Sequence, residues 1–342
     1  MNDKTLQLKL SYILGLRDVV FEEIKQYPEL KILGENGDSF YVEYIKVFDV
    51  IKNLRSVSRA YLVSTDPRYN PLYISNHKSV LGNLIEIVVN KNSEKSFKSF
   101  KIYCAGSDSP EVSEIERYLE ENLKLKKSED ADLKIYIIKM GDTWELGLQI
   151  TSRPLSLRKY KVRHMNGAMD PTIAYSLNYL CGLKKYKSYL NIFSGSATLM
   201  IEAGQCYDNL QKIIGFDNNK EHLSLSIQNI QKAGLIKRVQ IKEGNIFDKP
   251  DFGKFDVITS DLPFGMAVSK GEDLEKLYKV FIEYAEEGLN EDGTLGVYTS
   301  EFKIFENLIS NSKFILDKEV KVKLMTSEEQ YLPTKLMIFS LK

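Results

Sequence analysis

The stretch Tyr189-Leu-Asn-Ile-Phe-Ser-Gly-Ser-Ala-Thr198 decides the fold: an apolar run ends in a turn of small residues and passes into a helical pattern carrying Glu202. A strand, a tight turn and a helix amino terminus make a place where backbone N–H groups can approach a ligand closely. The turn holds a single glycine, Gly195, so it suits a dinucleotide pyrophosphate poorly. Asn191, Phe193, Ser194, Ser196 and Thr198 are the candidate ligand-binding residues around it, although a plain strand-to-helix turn would explain the same letters. Working outward, strands are expected at residues 189–193, 212–216, 239–242, 255–260 and 294–299 with helical stretches between them, which predicts a parallel, doubly wound α/β sheet. Residues 314–323 and 334–341 follow with no room for a long helix between them and are expected to close the sheet as an antiparallel hairpin. A helix from Pro171 to Leu183 leads into the first strand.

Two further strand tips carry groups suited to the same ligand. Asp217, with Asn218 after it, ends the second strand, where a carboxylate can accept from both hydroxyls of a ribose; capping of the next helix is the alternative. Asn245 and Ile246 end the third, where an amide could accept from an adenine amino group while the aliphatic chain covers the ring. Three successive tips with groups suited to one nucleoside are harder to ascribe to chance than any one alone.

The fourth strand ends in Asp261-Leu-Pro-Phe-Gly265, the sharpest motif in the chain. An amine conjugated to a purine is a poor nucleophile, because its lone pair is delocalised and it must lose a proton once alkylated. Two acceptors on its N–H groups would aim it and draw the lone pair out of the ring. The Asp261 carboxylate and the Leu262 carbonyl can be those acceptors, Pro263 stiffens the loop, and Phe264 offers a face for a flipped-out base. The plain alternative is a proline turn with a buried phenylalanine.

Amino-terminal to this region, residues 5–13, 17–27, 30–33, 39–45, 46–54 and 59–64 read as β-α-β-β-α-β, the order of a small ferredoxin-like unit. A helix at 79–89, a strand at 99–104, a helix at 111–123 and strands at 133–140 and 143–150 around Gly141-Asp142 form a second α+β pattern. The chain has 342 residues, 43% of them hydrophobic and 27% charged, which suits two or three compact domains. Its first residues lack the apolar core of a signal peptide, and no apolar run is long enough to span a bilayer, so a cytoplasmic protein is expected. Three scattered cysteines exclude a disulfide framework, and three histidines share no metal-ligand spacing, so no metal is expected. Lys plus Arg and Asp plus Glu both number 47, yet residues 151–190 hold eight Lys or Arg against the single acid Asp170. A solvated connector would explain this basic stretch, as would a nucleic-acid contact.

Asp261-Leu-Pro-Phe-Gly265 resembles the Asn/Asp-Pro-Pro-Tyr/Phe motif of amino-methyltransferases. Met165-Asn-Gly-Ala-Met-Asp-Pro-Thr-Ile-Ala-Tyr175 is similar to the segment before the first strand in THUMP-domain guanine-N2 methyltransferases, and residues 99–150, with Glu114-Ile-Glu116 and Leu146-Gly-Leu148, resemble the second half of a THUMP domain. The resemblance implies a ferredoxin-like domain (1–55), a THUMP RNA-binding domain (56–152), a basic linker (153–170) and a Rossmann-like class I methyltransferase domain (171–342) with an antiparallel carboxy-terminal hairpin. It further implies S-adenosylmethionine as cofactor and tRNA as partner, gripped at its acceptor end. Guanine N2 in the acceptor stem would be the target, and Arg158, Lys159, Lys161 and Arg163 would be phosphate contacts. The chain departs from the family where Asn191 stands for the usual Asp, Ala197 for the second Gly and Asn245 for Asp. Competing readings are a guanine elsewhere in tRNA or in rRNA, an RNA-binding protein with impaired catalysis, and adenine-N6 methylation of DNA. A nicotinamide dehydrogenase is disfavoured by the single-glycine turn and the closing hairpin.

Overall fold

The computed structural model describes residues 6–43, 48–64, 66–91, 97–104, 109–162, 165, 167–264, 274–327 and 330–341. Arg163 and Gly265 lie outside them. The chain divides into two compact units, residues 1–12 with 20–156 and residues 13–19 with 157–342.

The first unit contains β1 (Leu6–Ser11), α1 (Arg17–Ile24), β2 (Ile32–Asn36), β3 (Ser39–Glu43), α2 (Asp49–Lys52) and β4 (Arg59–Ser64), with the start of α1 belonging to the second unit. This is the β-α-β-β-α-β order expected. Next come α3 (Ile74–Asn76), a π-helical turn at His77–Leu81, α4 (Gly82–Lys91), β5 (Ser99–Cys104), α5 (Pro110–Leu123), β6 (Lys126–Lys127), β7 (Leu133–Met140) and β8 (Thr143–Gln149). All eight strands form one sheet in the order β2-β3-β1-β4-β8-β7-β5-β6. There is no break at residue 55, since β4 pairs with β1 on one side and β8 on the other. Alternate residues such as Leu8, Leu62, Ile135 and Leu148 point to a core shared with Val20, Leu84 and Ile115 of the helices.

The second unit is the layered α/β domain. It comprises α6 (Pro171–Leu180), β9 (Ser188–Ile192), α7 (Thr198–Cys206), β10 (Lys212–Asp217), α8 (Lys220–Lys232), β11 (Val239–Glu243) and β12 (Phe255–Asp261). α9 (Leu274–Gly288), β13 (Leu289–Thr299), α10 (Phe302–Ile309), β14 (Phe314–Ser327) and β15 (Gln330–Leu341) complete it. The sheet order is β11-β10-β9-β12-β13-β15-β14, with β15 antiparallel to both of its neighbours. This is the expected doubly wound, Rossmann-like sheet closed by an antiparallel hairpin. Because helices cover both faces, successive strand residues enter different cores: Tyr189 and Ile213 one, Leu190 and Ile214 the other. That is why these strands read as continuous apolar runs.

α6 starts where Asp170 accepts the Thr172 N–H at 2.7 Å and Pro171 occupies the first turn. It ends at Leu180 rather than Leu183, since Gly182 at φ +70° turns the chain into a short 3-10 segment. The helix lies so close to β13 that a Cβ on Gly296 would stand 2.3 Å from the Cys181 sulfur and 3.1 Å from Leu177 Cδ1. Gly296→Ala should therefore cost about 1–3 kcal/mol in urea unfolding. Adding Cys181→Ala, which removes the opposing sulfur, should return most of that loss; an unchanged midpoint in the single variant would show that the helix can simply move away.

Candidate active site

The turn after β9 and the end of that strand are held by hydrogen bonds to two neighbouring strands, β10 and β12. Asp217, at the tip of β10, accepts the Gly195 N–H at 2.8 Å through Oδ2 and the Asn219 N–H at 3.0 Å through Oδ1. The Ser194 N–H donates to the Phe216 carbonyl at 3.0 Å and the Ala197 N–H to the Ser194 carbonyl at 2.7 Å. From β12, the Ser260 hydroxyl donates to Ile192 at 2.9 Å, and the Asn191 amide donates to Thr259 at 3.1 Å. Asn191 thus straps β9 to β12. Phe193 and Ala197 sit in the left-handed region at φ +54° and +64°. For Ala197 this costs about 1–2 kcal/mol relative to a right-handed turn. The family's glycine would avoid that cost.

Asn191, Phe193 to Ser196, Thr198 and Asp217 line a cavity of about 420 Å³ together with Met165, Gly167, Met169, His222 and Asp261 to Phe264. The volume suits a small ligand. Ser194 lines it, and its buried Oγ has no hydrogen-bond partner among the described residues. A buried hydroxyl left unpaired is a cost that a polar ligand would relieve. His222 Nδ1 stands 3.4 Å from Asp217 Oδ1 at the same end.

At the other end, Asp261 closes β12, and the loop after it is tightly pinned. The Leu262 N–H donates to the Tyr298 carbonyl at 3.0 Å, and the Pro263 carbonyl accepts from the Tyr278 hydroxyl at 2.8 Å. Phe264 is half-buried, edge-on to Tyr298 with ring centroids 5.8 Å apart. Burial pushes the Asp261 carboxyl up to about 7, with the Lys161 ammonium pulling the other way. Burial also holds Lys161 below the usual lysine range, against the charges of Asp170, Glu202 and Asp261, while its Nζ donates to the Met169 carbonyl at 3.0 Å.

A family model described as RMKL-like, methyltransferase domain, matches residues 158–330, half of the chain. The chain belongs to this family. Among curated relatives of this methyltransferase domain, a tRNA (guanine(6)-N2)-methyltransferase of Methanocaldococcus jannaschii is 24% identical over 59% of this chain and 64% of its own length. One with the same name from Thermus thermophilus is 26% identical over 50% of this chain and 52% of its own. The chain thus spans less than two-thirds of either. The solved structure of TrmN from Thermus thermophilus superposes with a TM-score of 0.74, at 20% identity, over 98% of this chain and 100% of that one. That of SMU.472, complexed with SAH, gives 0.71 at 18% identity, covering 98% of each. At such identities the superpositions establish the fold.

Within this methyltransferase domain the structure gathers Asn191, Phe193, Ser194, Gly195, Ser196, Thr198, Asp217, Asp261, Leu262, Pro263 and Phe264 around one cavity. It does not bring Asn218, Asn245 or Ile246 to the cavity lining: Asn218 is exposed, Ile246 is buried in a core, and Asn245 accepts the Phe247 N–H at 3.1 Å as a helix cap. Two of the expected phosphate contacts are turned inward. Arg158 Nε donates to Glu202 at 3.0 Å, both side chains being under a tenth exposed, and Tyr160 donates to the same oxygen at 2.7 Å. The buried carboxylate claims Arg158, which corrects its assignment as a surface contact. Lys161 is likewise held by Met169, whereas Lys159 is exposed. Sequence reasoning missed Met165, Met169 and His222 as lining groups, and it missed the inward role of Arg158, for which the signal available was the carboxylate of Glu202 on a largely apolar helix. Glu202→Ala, which removes the carboxylate that Arg158 and Tyr160 bind in the interior, should cost about 3–5 kcal/mol. Lys159→Ala should stay within about 0.5 kcal/mol. Equal effects in chemical denaturation would contradict the inward placement of Arg158.

Proposed function

We propose that this protein methylates the exocyclic N2 amine of a guanine in tRNA, in the acceptor stem at a position 6 type of site, with S-adenosylmethionine as donor and in the cytoplasm. The observation that carries the reading is the half-buried Asp261 carboxyl at the tip of β12, in one cavity with the β9 turn and the Asp217 carboxylate. The names of the two tRNA (guanine(6)-N2)-methyltransferases support the substrate. The unpaired Ser194 hydroxyl, the small-residue turn and Asp217 fit a nucleoside bearing an amino acid. When bound, S-adenosylmethionine supplies an electrophilic methyl group.

The chain's own residues do the rest. Each Asp217 oxygen that accepts a backbone N–H keeps a lone pair for a ribose hydroxyl. Asp261 and the Leu262 carbonyl accept from the guanine amine, aim its lone pair and stabilise the positive charge that develops on nitrogen. Phe264 stacks on the extruded base. The amino-terminal ferredoxin-like and THUMP segments (1–55 and 56–152) grip the acceptor end, and Lys159 in the linker (153–170) contacts phosphate.

In single-turnover assays on a tRNA transcript, Asp261→Ala should lose about 10²- to 10³-fold in rate while tRNA affinity holds. Asp261→Asn, whose amide oxygen still accepts, should keep more. Changing the acceptor-stem guanine to adenine should abolish transfer; full activity on that transcript would refute the target.

The same carboxyl sets the pH dependence. The acceptor works as the ionised carboxylate, so kcat/KM should rise with pH and level off above about 7. Lys161→Met removes the cation that favours the ionised form and should move the rise to higher pH. A flat wild-type profile would deny Asp261 the role of acceptor.

A further inference from the structure

The helices of the first unit pack on one side of its sheet, against Leu8, Leu62, Ile135 and Leu148. On the other side stands a row of tyrosines running across the sheet: the buried Tyr61 on β4, Tyr136 on β7 and Tyr103 on β5. Between β4 and β7 lies β8, whose residue in register with both Val63 and Tyr136 is Gly147. A Cβ there would stand 3.2 Å from Val63 Cγ1 and 3.8 Å from Tyr61 Cβ. Its absence lets Tyr61 and Tyr136 meet over the intervening strand, edge to face with centroids 4.9 Å apart. Tyr136 then stacks on its register partner Tyr103, with centroids at 4.6 Å and planes 6° apart.

The row is bordered by cations. Arg59, at the start of β4, is exposed, and Lys101 Nζ, ion-paired with the exposed Glu129, lies 5.3 Å from the Tyr103 ring centroid. Glu145, the carboxylate on this side of β8, is already taken by Lys9 at 2.8 Å and by Tyr41 at 2.7 Å. Tyr103 ends the row 36% exposed.

We infer that this tyrosine row is a stacking platform for unpaired nucleobases of an RNA, with Arg59 and Lys101 drawn to the phosphates beside them. Every base has a π-face, so a stacked tyrosine ending in an exposed ring accepts any unpaired base without reading its sequence. A base-paired helix hides those faces, which directs the site to single-stranded ends and loops. An apolar peptide is the poorer occupant, since Lys9, Arg59 and Lys101 on this side would have to be desolvated beneath it. The inference rests on the reading of the protein as an RNA-modifying enzyme, but its test does not require methyl transfer.

The test is fluorescence anisotropy of the full chain with a labelled single-stranded RNA of about ten nucleotides, within the site sizes of such surfaces. Tyr103→Ala should weaken binding about 5- to 150-fold, the loss of one stacked base. Tyr103→Trp, which keeps an aromatic face, should bind as well as wild type, and the same RNA annealed to its complement should fail to compete. Matching thermal unfolding of the two variants shows that both are folded. Unchanged affinity in Tyr103→Ala, equal loss in both variants, or full competition by the duplex would each overturn the platform. A protein that binds the oligonucleotide through Tyr103 yet methylates no tRNA would sink the proposed function alone. Active methylation with binding indifferent to Tyr103 would sink this inference alone.

Discussion

The Glu202 carboxylate is the interaction on which the site depends. It is wholly buried on α7, the helix that starts at the cavity, and it binds Arg158 and Tyr160 through one oxygen. A charge withdrawn from water must find its counter-charge nearby. Here the counter-charge comes from the segment leading into the domain, which is thereby folded back onto α7. Residues that follow in that segment, Met165 and Gly167 to Met169, then form one wall of the cavity. Lys161 is delivered to the neighbourhood of Asp261 by the same fastening. The stretch from residue 157 onward is therefore an integral part of the methyltransferase domain.

Asp217 exercises a second constraint of the same kind. One carboxylate joins the turn after β9 to the start of α8 by accepting from both backbones. Its two roles, organiser of the turn and proposed ribose acceptor, are compatible because each oxygen can accept more than once. Asp261 is the opposite case. Among the described residues no backbone N–H donates to its carboxylate, and burial raises its pKa with Lys161 as the counter-influence. One carboxylate builds the site; the other is left poised within it.

Most of the fold was legible because its signals are local. The strands of the methyltransferase sheet are apolar runs bounded by turns, and the expected and observed spans differ by a residue or two at most ends. The exceptions have tertiary causes. The apolar residues 30–33 suggested a strand, but Leu30 is a core plug while Leu33 is exposed, and pairing with β3 moves the strand to Ile32–Asn36. The strand tips around Gly195, Asp217 and Asp261 could be read since fold topology alone brings them together. Asn191 and Arg158 could not be, because what they bind, the backbone of β12 and the Glu202 carboxylate, lies 68 and 44 residues away in sequence. A basic stretch in a sequence has the same letters whether its cations face water or a buried acid.

The eight-stranded sheet of the first unit bears on how such a chain could come apart. β4 sits in its interior, with β1 on one flank and β8, contributed from about ninety residues further along the sequence, on the other. Severing the chain between β3 and β4 and parting the pieces would leave β1 and β4 each with a bare row of N–H and C=O groups where the other had been. Such rows are templates for pairing with any extended chain at hand. Half-molecules made this way would be prone to recruit one another into intermolecular sheets, an exposure that the unbroken chain avoids by pairing β1 with β4.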